Sequence, residues 1–108
     1  MTQLLTVYSG VREQLLVEQI TYLEGSINYC YIHLINQPSI LIPYHLKLMQ
    51  QRLPDFVRIH KRYLLNPLFI PATLTLDSRV KEVTLRTGEV LPIARRRVAE
   101  LTTRFRVD

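Results

Sequence analysis

A mostly β, single-domain fold is predicted from three features of the sequence. Apolar residues alternate over short runs through most of the chain, the period of half-buried strands, and no long helical window appears before the C-terminus. Turn-forming pairs punctuate those runs at Gly25-Ser26, Gln37-Pro38, Asn66-Pro67 and Thr87-Gly88. The chain has 108 residues, 47% of them apolar, which is enough for one core and too little for two domains. Its single cysteine, Cys30, excludes an internal disulfide framework and suits a reducing compartment, so the cytoplasm is the expected location. The longest uninterrupted apolar run, residues 29 to 32, is far shorter than a membrane helix of roughly 20 residues.

In chain order, residues 1 to 10 read as an N-terminal extension and residues 14 to 24 as strand. Leu15, Val17, Ile20 and Tyr22 mark the apolar phase of that strand, around a break near Glu18 and Gln19. Gly25-Ser26 then turns the chain. Over residues 28 to 35, Cys30, Ile32 and Leu34 alternate with Tyr29, Tyr31 and His33, the pattern of a central strand partly covered on both faces. Residues 39 to 42 are its expected partner. Pro43 is expected in the first turn of a short helix whose apolar stripe is Leu46, Met49 and Leu53, with Pro54 stopping it. Residues 56 to 60 and 63 to 65 read as two short strands around Lys61-Arg62. Residues 71 to 76, 79 to 86 and 89 to 93 read as a meander, with a bulge between Val80 and Val83 where the apolar phase slips. From Ala94 onward, Ala94, Val98, Leu101 and Phe105 recur at helical spacing.

The charge is unevenly placed. Lys and Arg total 14 against 9 acids, a net charge of +5, and all of that excess lies beyond residue 54. Two clusters dominate it, Arg58, Lys61 and Arg62, then Arg95, Arg96 and Arg97, so a joint patch has to be assembled by folding. Arginine supplies 11 of the 14 cations, and its planar fork matches phosphates and guanine edges. A polyanion is the leading partner.

Enzymatic readings lack parts. His33, His45 and His60 have no cysteine or acid at metal-ligand spacing, and with 3 glycines in the chain no phosphate-binding loop precedes a helix. No catalytic residue, cofactor or metal site is expected, and His33 and His45 read as structural or surface residues. Arg95, Arg96 and Arg97 are different. They fall in the first turn of the last expected helix, where the helix dipole disfavours each cation by roughly a few tenths of a kcal/mol. A bound anion would offset that misplacement; a plain solvated face is the alternative.

Three motifs in order then carry a resemblance. Ile20-Thr21-Tyr22-Leu23-Glu24 opens the series. Phe56-Val57-Arg58-Ile59-His60-Lys61-Arg62-Tyr63-Leu64-Leu65-Asn66 follows the short helix, and Leu91-Pro92-Ile93-Ala94-Arg95-Arg96 closes it. Over about residues 11 to 102 the chain resembles the LytTR family of bacterial DNA-binding domains, the output domains of response regulators. The resemblance implies an elongated antiparallel β-sheet fold with one or two short helices. It also implies sequence-specific double-stranded DNA binding as a transcriptional regulator, two copies on repeated half-sites, with loops rather than a helix entering successive major grooves. Carried onto this chain, the expected contacts are Asn28, Tyr29 and Cys30, then His60, Lys61 and Arg62, then Arg95, Arg96 and Arg97. Lys61, Arg62 and Arg96 are the expected base readers. Asn66 also matches a family position, although a turn asparagine before Pro67 is the simpler reading.

The chain departs from the family pattern at three places. Arg62 replaces a small serine, Ala94 replaces the closing serine, and the first loop has Tyr29 and Cys30 where a polar or imidazole reader is common. With some ten residues ahead of the first strand, the chain is expected to act as a stand-alone regulator without a phosphoreceiver, governed by concentration or by a partner such as a membrane protein. The alternative is a protein-interaction module that keeps the fold without specific DNA readout.

Overall fold

A computed structural model describes residues 3 to 71, 79, 81 to 99 and 101. Two strands, β1 (Leu4–Tyr8) and β2 (Arg12–Leu16), form an N-terminal antiparallel hairpin. A 3-10 turn, Val17–Gln19, leads into β3 (Ile20–Gly25), β4 (Cys30–Leu34) and β5 (Gln37–Ile42). The helix α1 (Leu46–Arg52) precedes β6 (Val57–His60) and β7 (Tyr63–Leu65). These join in a five-stranded antiparallel sheet of order β5-β4-β3-β7-β6. A last hairpin, β8 (Glu82–Thr84) with β9 (Val90–Pro92), is followed by the 3-10 turn Arg95–Arg97 and helical Val98 and Ala99. The molecule extends 43 × 31 × 22 Å, so the mostly β, elongated fold holds.

The period-2 pattern decides where the core lies. Tyr22, Val57 and Leu65 alternate with Leu23 and Leu64 on adjacent paired strands, so both faces of the sheet are apolar. Leu23, Cys30, Ile32 and Leu64 pack with Leu46, Met49 and Leu53 of α1 and with Leu5 and Val7 of the hairpin. On the other face, Tyr22, Val57, Ile59 and Leu65 pack with Val83, Leu85, Leu91, Ile93, Val98 and Leu101. Each fully buried Leu or Ile contributes about 1.5 to 3 kcal/mol, so both covers are required. The register shifts between Ile20 and Tyr22, which turns Ile20 toward the helix side, and Thr21 donates its hydroxyl to the His33 carbonyl at 3.0 Å.

Most expected elements appear, the break at Glu18 and Gln19 and the central placement of β4 included. The N-terminal extension is a correction, because it holds a strand. Leu5 and Val7 alternate onto the core, and Gly10 at φ 94° makes the left-handed turn into β2. The helix start is a second correction. Pro43 lies outside, and His45 is the N-cap, its Nδ1 accepting the Leu48 N–H at 3.2 Å. Leu53 leaves the helical region before Pro54, as the sterics of a pre-proline residue require. The strand expected over residues 71 to 76, beyond Pro71 itself, the bulge at Val80 and the Phe105 end of the last helix fall outside the described residues.

Asn66 is a buried brace. Its amide donates to the Ile20 carbonyl at 2.8 Å and to the Val17 carbonyl at 3.3 Å, while its Oδ1 accepts the Leu68 N–H at 3.0 Å. Asn66→Ala removes the side-chain partner of the Ile20 carbonyl and of the Leu68 N–H, and one of two donors to the Val17 carbonyl, and should cost about 3 kcal/mol in denaturant unfolding. Gly25 is a second sensitive point, since an added Cβ would lie 2.9 Å from Leu46 Cβ. Gly25→Ala should destabilise by about 1 to 3 kcal/mol in the same measurement, with α1 displaced.

Candidate nucleic-acid interface

The sheet pairing brings two turns to one end. Gly25 pairs with Cys30, Glu24 with Tyr63, and His60 with Tyr63, so the turn after β3 and the turn after β6 are neighbours. Backbone bonds lock them together. The Gly25 N–H donates to the Arg62 carbonyl at 2.7 Å, and Arg62 Nε donates back to the Gly25 carbonyl at 3.4 Å. The first turn is itself closed by the Ser26 N–H to the Tyr29 carbonyl at 2.9 Å, leaving Ile27, Asn28 and Tyr29 exposed.

Arg58 and His60 build the second turn from inside. Arg58 Nε donates to the His60 carbonyl at 2.8 Å, Nη2 to the Lys61 carbonyl, and Nη1 to Gln50 Oε1 on α1 at 3.0 Å. His60 Nδ1 accepts the Arg62 N–H at 3.1 Å. With both residues engaged in bonds of this kind, Lys61 and Arg62 are the pair presented to solvent. Arg62 Nη2 also lies 3.6 Å from Glu24 Oε2, and the same carboxylate accepts from Tyr63 at 3.5 Å and faces the His33 ring at 3.3 Å. That ring stacks on Tyr22 at 4.2 Å and takes a 2.8 Å bond with the Ser39 hydroxyl. His33 is structural, as expected.

The third basic segment arrives from the end of the described chain. The Ala94 N–H donates to the Ile59 carbonyl at 2.8 Å, which lays Arg95–Arg97 against the outer edge of β6. Arg95 and Arg96 are exposed and Arg97 is half-buried, while Val98 and Leu101 anchor the segment in the core. Ala94 offers no side-chain cap, in keeping with its lost hydroxyl. The two clusters form one patch, and their mutual field registers on the groups between them. Burial, with Arg97 next, lowers the Arg58 pKa, and burial followed by Lys61, Arg62, Arg97 and Arg58 lowers that of His60. His60 is therefore neutral at neutral pH, consistent with Nδ1 acting as an acceptor.

Of the nine expected site residues, the structure sets the turn of Asn28 and Tyr29 beside that of His60, Lys61 and Arg62, lays Arg95–Arg97 along β6 near His60, and buries one. Cys30 is fully buried beneath α1, and burial pushes its thiol up to about 11, so its side chain belongs to the core. Alternation dictates this, because Cys30 shares a face with Ile32 while Tyr29 and Tyr31 point the other way. The sequence reading missed the exposure of Ile27 at the first turn and Glu24 as the counterion of Arg62, and it counted Arg58 among the outward-facing cations where the structure has it building the second turn. Glu24 stood in the opening motif, but its partners Arg62 and Tyr63 are distant in sequence; Arg58 bonds the carbonyls of His60 and Lys61 within its own motif, where only the folded turn shows that it points inward. At the opposite end of β3, an open cavity of about 290 Å³ carries Glu18 and Asp55, the wrong sign for a phosphate.

The depressed His60 pKa has a consequence for stability. The neutral ring is favoured by the folded state, so its contribution is complete above the ordinary value of 6.5 and declines as pH falls below it. His60→Asn, which offers an amide oxygen to the Arg62 N–H, should lose less melting temperature than the parent chain between about pH 7.5 and about pH 5.

Among curated proteins no match is found. Among solved structures, a LytTr DNA-binding domain from Bacillus cereus shares the fold with a TM-score of 0.76 at 15% identity, covering 96% of this chain and 97% of that one. The family model described as the LytTr DNA-binding domain matches residues 12 to 106. With nearly the whole sequence matched and its closing arginines folded against the turn of its second motif, the chain belongs to the LytTR family of DNA-binding domains.

Proposed function

We propose that the chain binds double-stranded DNA at specific sequences as a transcriptional regulator in the cytoplasm, two copies occupying repeated half-sites. One observation carries the reading. The Ala94 bond to Ile59 merges Lys61 and Arg62 with Arg95, Arg96 and Arg97 into a single basic end, beside a turn that exposes Asn28 and Tyr29. Phosphates neutralise these cations and fix the register, while base edges supply the specificity. In this reading the two locked turns enter a major groove, Lys61 and Arg62 read bases there, and Arg96 reads from the β6 edge. Arg95 and Arg97 serve the backbone, and His60 holds the shape of its turn. Arg62 exchanges its contact with Glu24 for one with DNA.

Selection from random duplexes, then titration of the winner and a scrambled control over a range of salt, tests the reading. Two repeated half-sites bound about a thousandfold better than the control are expected. Neutralising about six phosphates gives a slope of log affinity on log salt near −5 on both duplexes. Binding without any enriched motif overturns specific readout and leaves the interaction-module alternative. Arg96→Ala should relax preference at one base position in each half-site by about 1 to 3 kcal/mol, whereas Arg95→Ala should weaken all sequences alike and reduce the slope by about 1 for each bound copy.

A further inference from the structure

We propose that Ile27 reads the 5-methyl group of a thymine in the major groove, an inference that rests on the DNA-binding function proposed above. Ile27 is 85% exposed, more than any other large hydrophobic residue described, the next being Val11 at 64%. A lone apolar residue on a surface needs no explanation, but this one is placed by a rigid frame. It sits in the turn closed by Ser26 and Tyr29, and that turn is tied to the Arg62 turn through the Gly25 and Arg62 backbones. The root of the turn has no slack, because Gly25 lies against Leu46 closely enough to exclude a Cβ. Isoleucine is also β-branched and stiff at χ1, so little rotamer freedom remains to be lost on contact.

The chemistry of the groove selects the ligand group. Phosphates and sugar edges are polar and hydrated and gain nothing from an isoleucine. Of the groups the four base pairs offer in the major groove, the thymine methyl is the apolar one, and the minor groove has no equivalent. A side chain with most of its area open has that area to remove from water, and the methyl is the complementary surface. Asn28, exposed beside it, is a residue type that bonds adenine bidentately, so the pair suits an A·T step. The first turn thus acquires a base preference that Tyr29 and the buried Cys30 do not supply.

The test replaces each thymine of the selected site singly by deoxyuridine, which removes the methyl and nothing else, and measures binding of the parent chain and of Ile27→Ser. The parent should lose about fourfold at one thymine in each half-site, the effect of one methyl-sized group. Ile27→Ser should bind the unmodified site more weakly, be indifferent to deoxyuridine at that position, and keep the parent's response elsewhere. Ile27→Val should retain most of the sensitivity. A tightly bound site with a flat deoxyuridine scan overturns this proposal alone, as does an Ile27→Ser chain with the parent's sensitivity. Failure to enrich any site overturns the proposed function and this proposal with it.

Discussion

A sheet that is apolar on both faces has to be covered twice, and the rest of this structure follows from how the two covers are supplied. The N-terminal hairpin and α1 cover Leu23, Ile32 and Leu64, while the last hairpin with Val98 and Leu101 covers Tyr22, Val57 and Leu65. The second cover returns the chain to the strand it has to protect. In doing so it pairs Ala94 with the outer edge of β6, which otherwise presents unpaired backbone groups. The burial of Val98 and Leu101 is thus what holds three arginines beside a turn that already carries two cations.

Concentrating positive charge in this way costs stability, and the fold spreads the cost over groups that can bear it. Arg58 is occupied by two backbone carbonyls and Gln50, so its charge is bonded where it is buried. His60 lies among cations and stays neutral, its Nδ1 accepting the Arg62 N–H. Glu24 is the acid ion-paired with Arg62 in this patch, itself held by Tyr63 and His33. Arg95–Arg97 open a helical segment with no acid in the first turn and no capping side chain, the end that favours anions. In the proposed function, a DNA phosphate at that end would relieve this repulsion.

The two turns are rigid as well as charged, which is what the proposed base readout would require. The bonds between Gly25 and Arg62 couple the turns, and the contact of Gly25 with Leu46 couples both to the core. At the far end of β3, Asn66 performs the same service by bonding the Ile20 and Val17 carbonyls and the Leu68 N–H. Its burial explains its place in the second motif without any contact to DNA.

Local chemistry alone determined much of this protein. Alternation identified β4 as a central strand, Pro54 ended α1, Asn66-Pro67 turned the chain, and the motif order named the family, because each signal depends on neighbours within a few residues. The N-terminal strand escaped, although Leu5 and Val7 alternate, because its worth depends on a helix-side core that it completes from outside the matched motifs. Only the tertiary structure decided that two basic clusters some thirty-five positions apart form one surface. It likewise moved Cys30 from the expected contact set into the core and brought out Ile27. The reason is common to all three: whether a side chain meets water, another cation or a methyl group depends on which elements pack against its own, and no local pattern contains that.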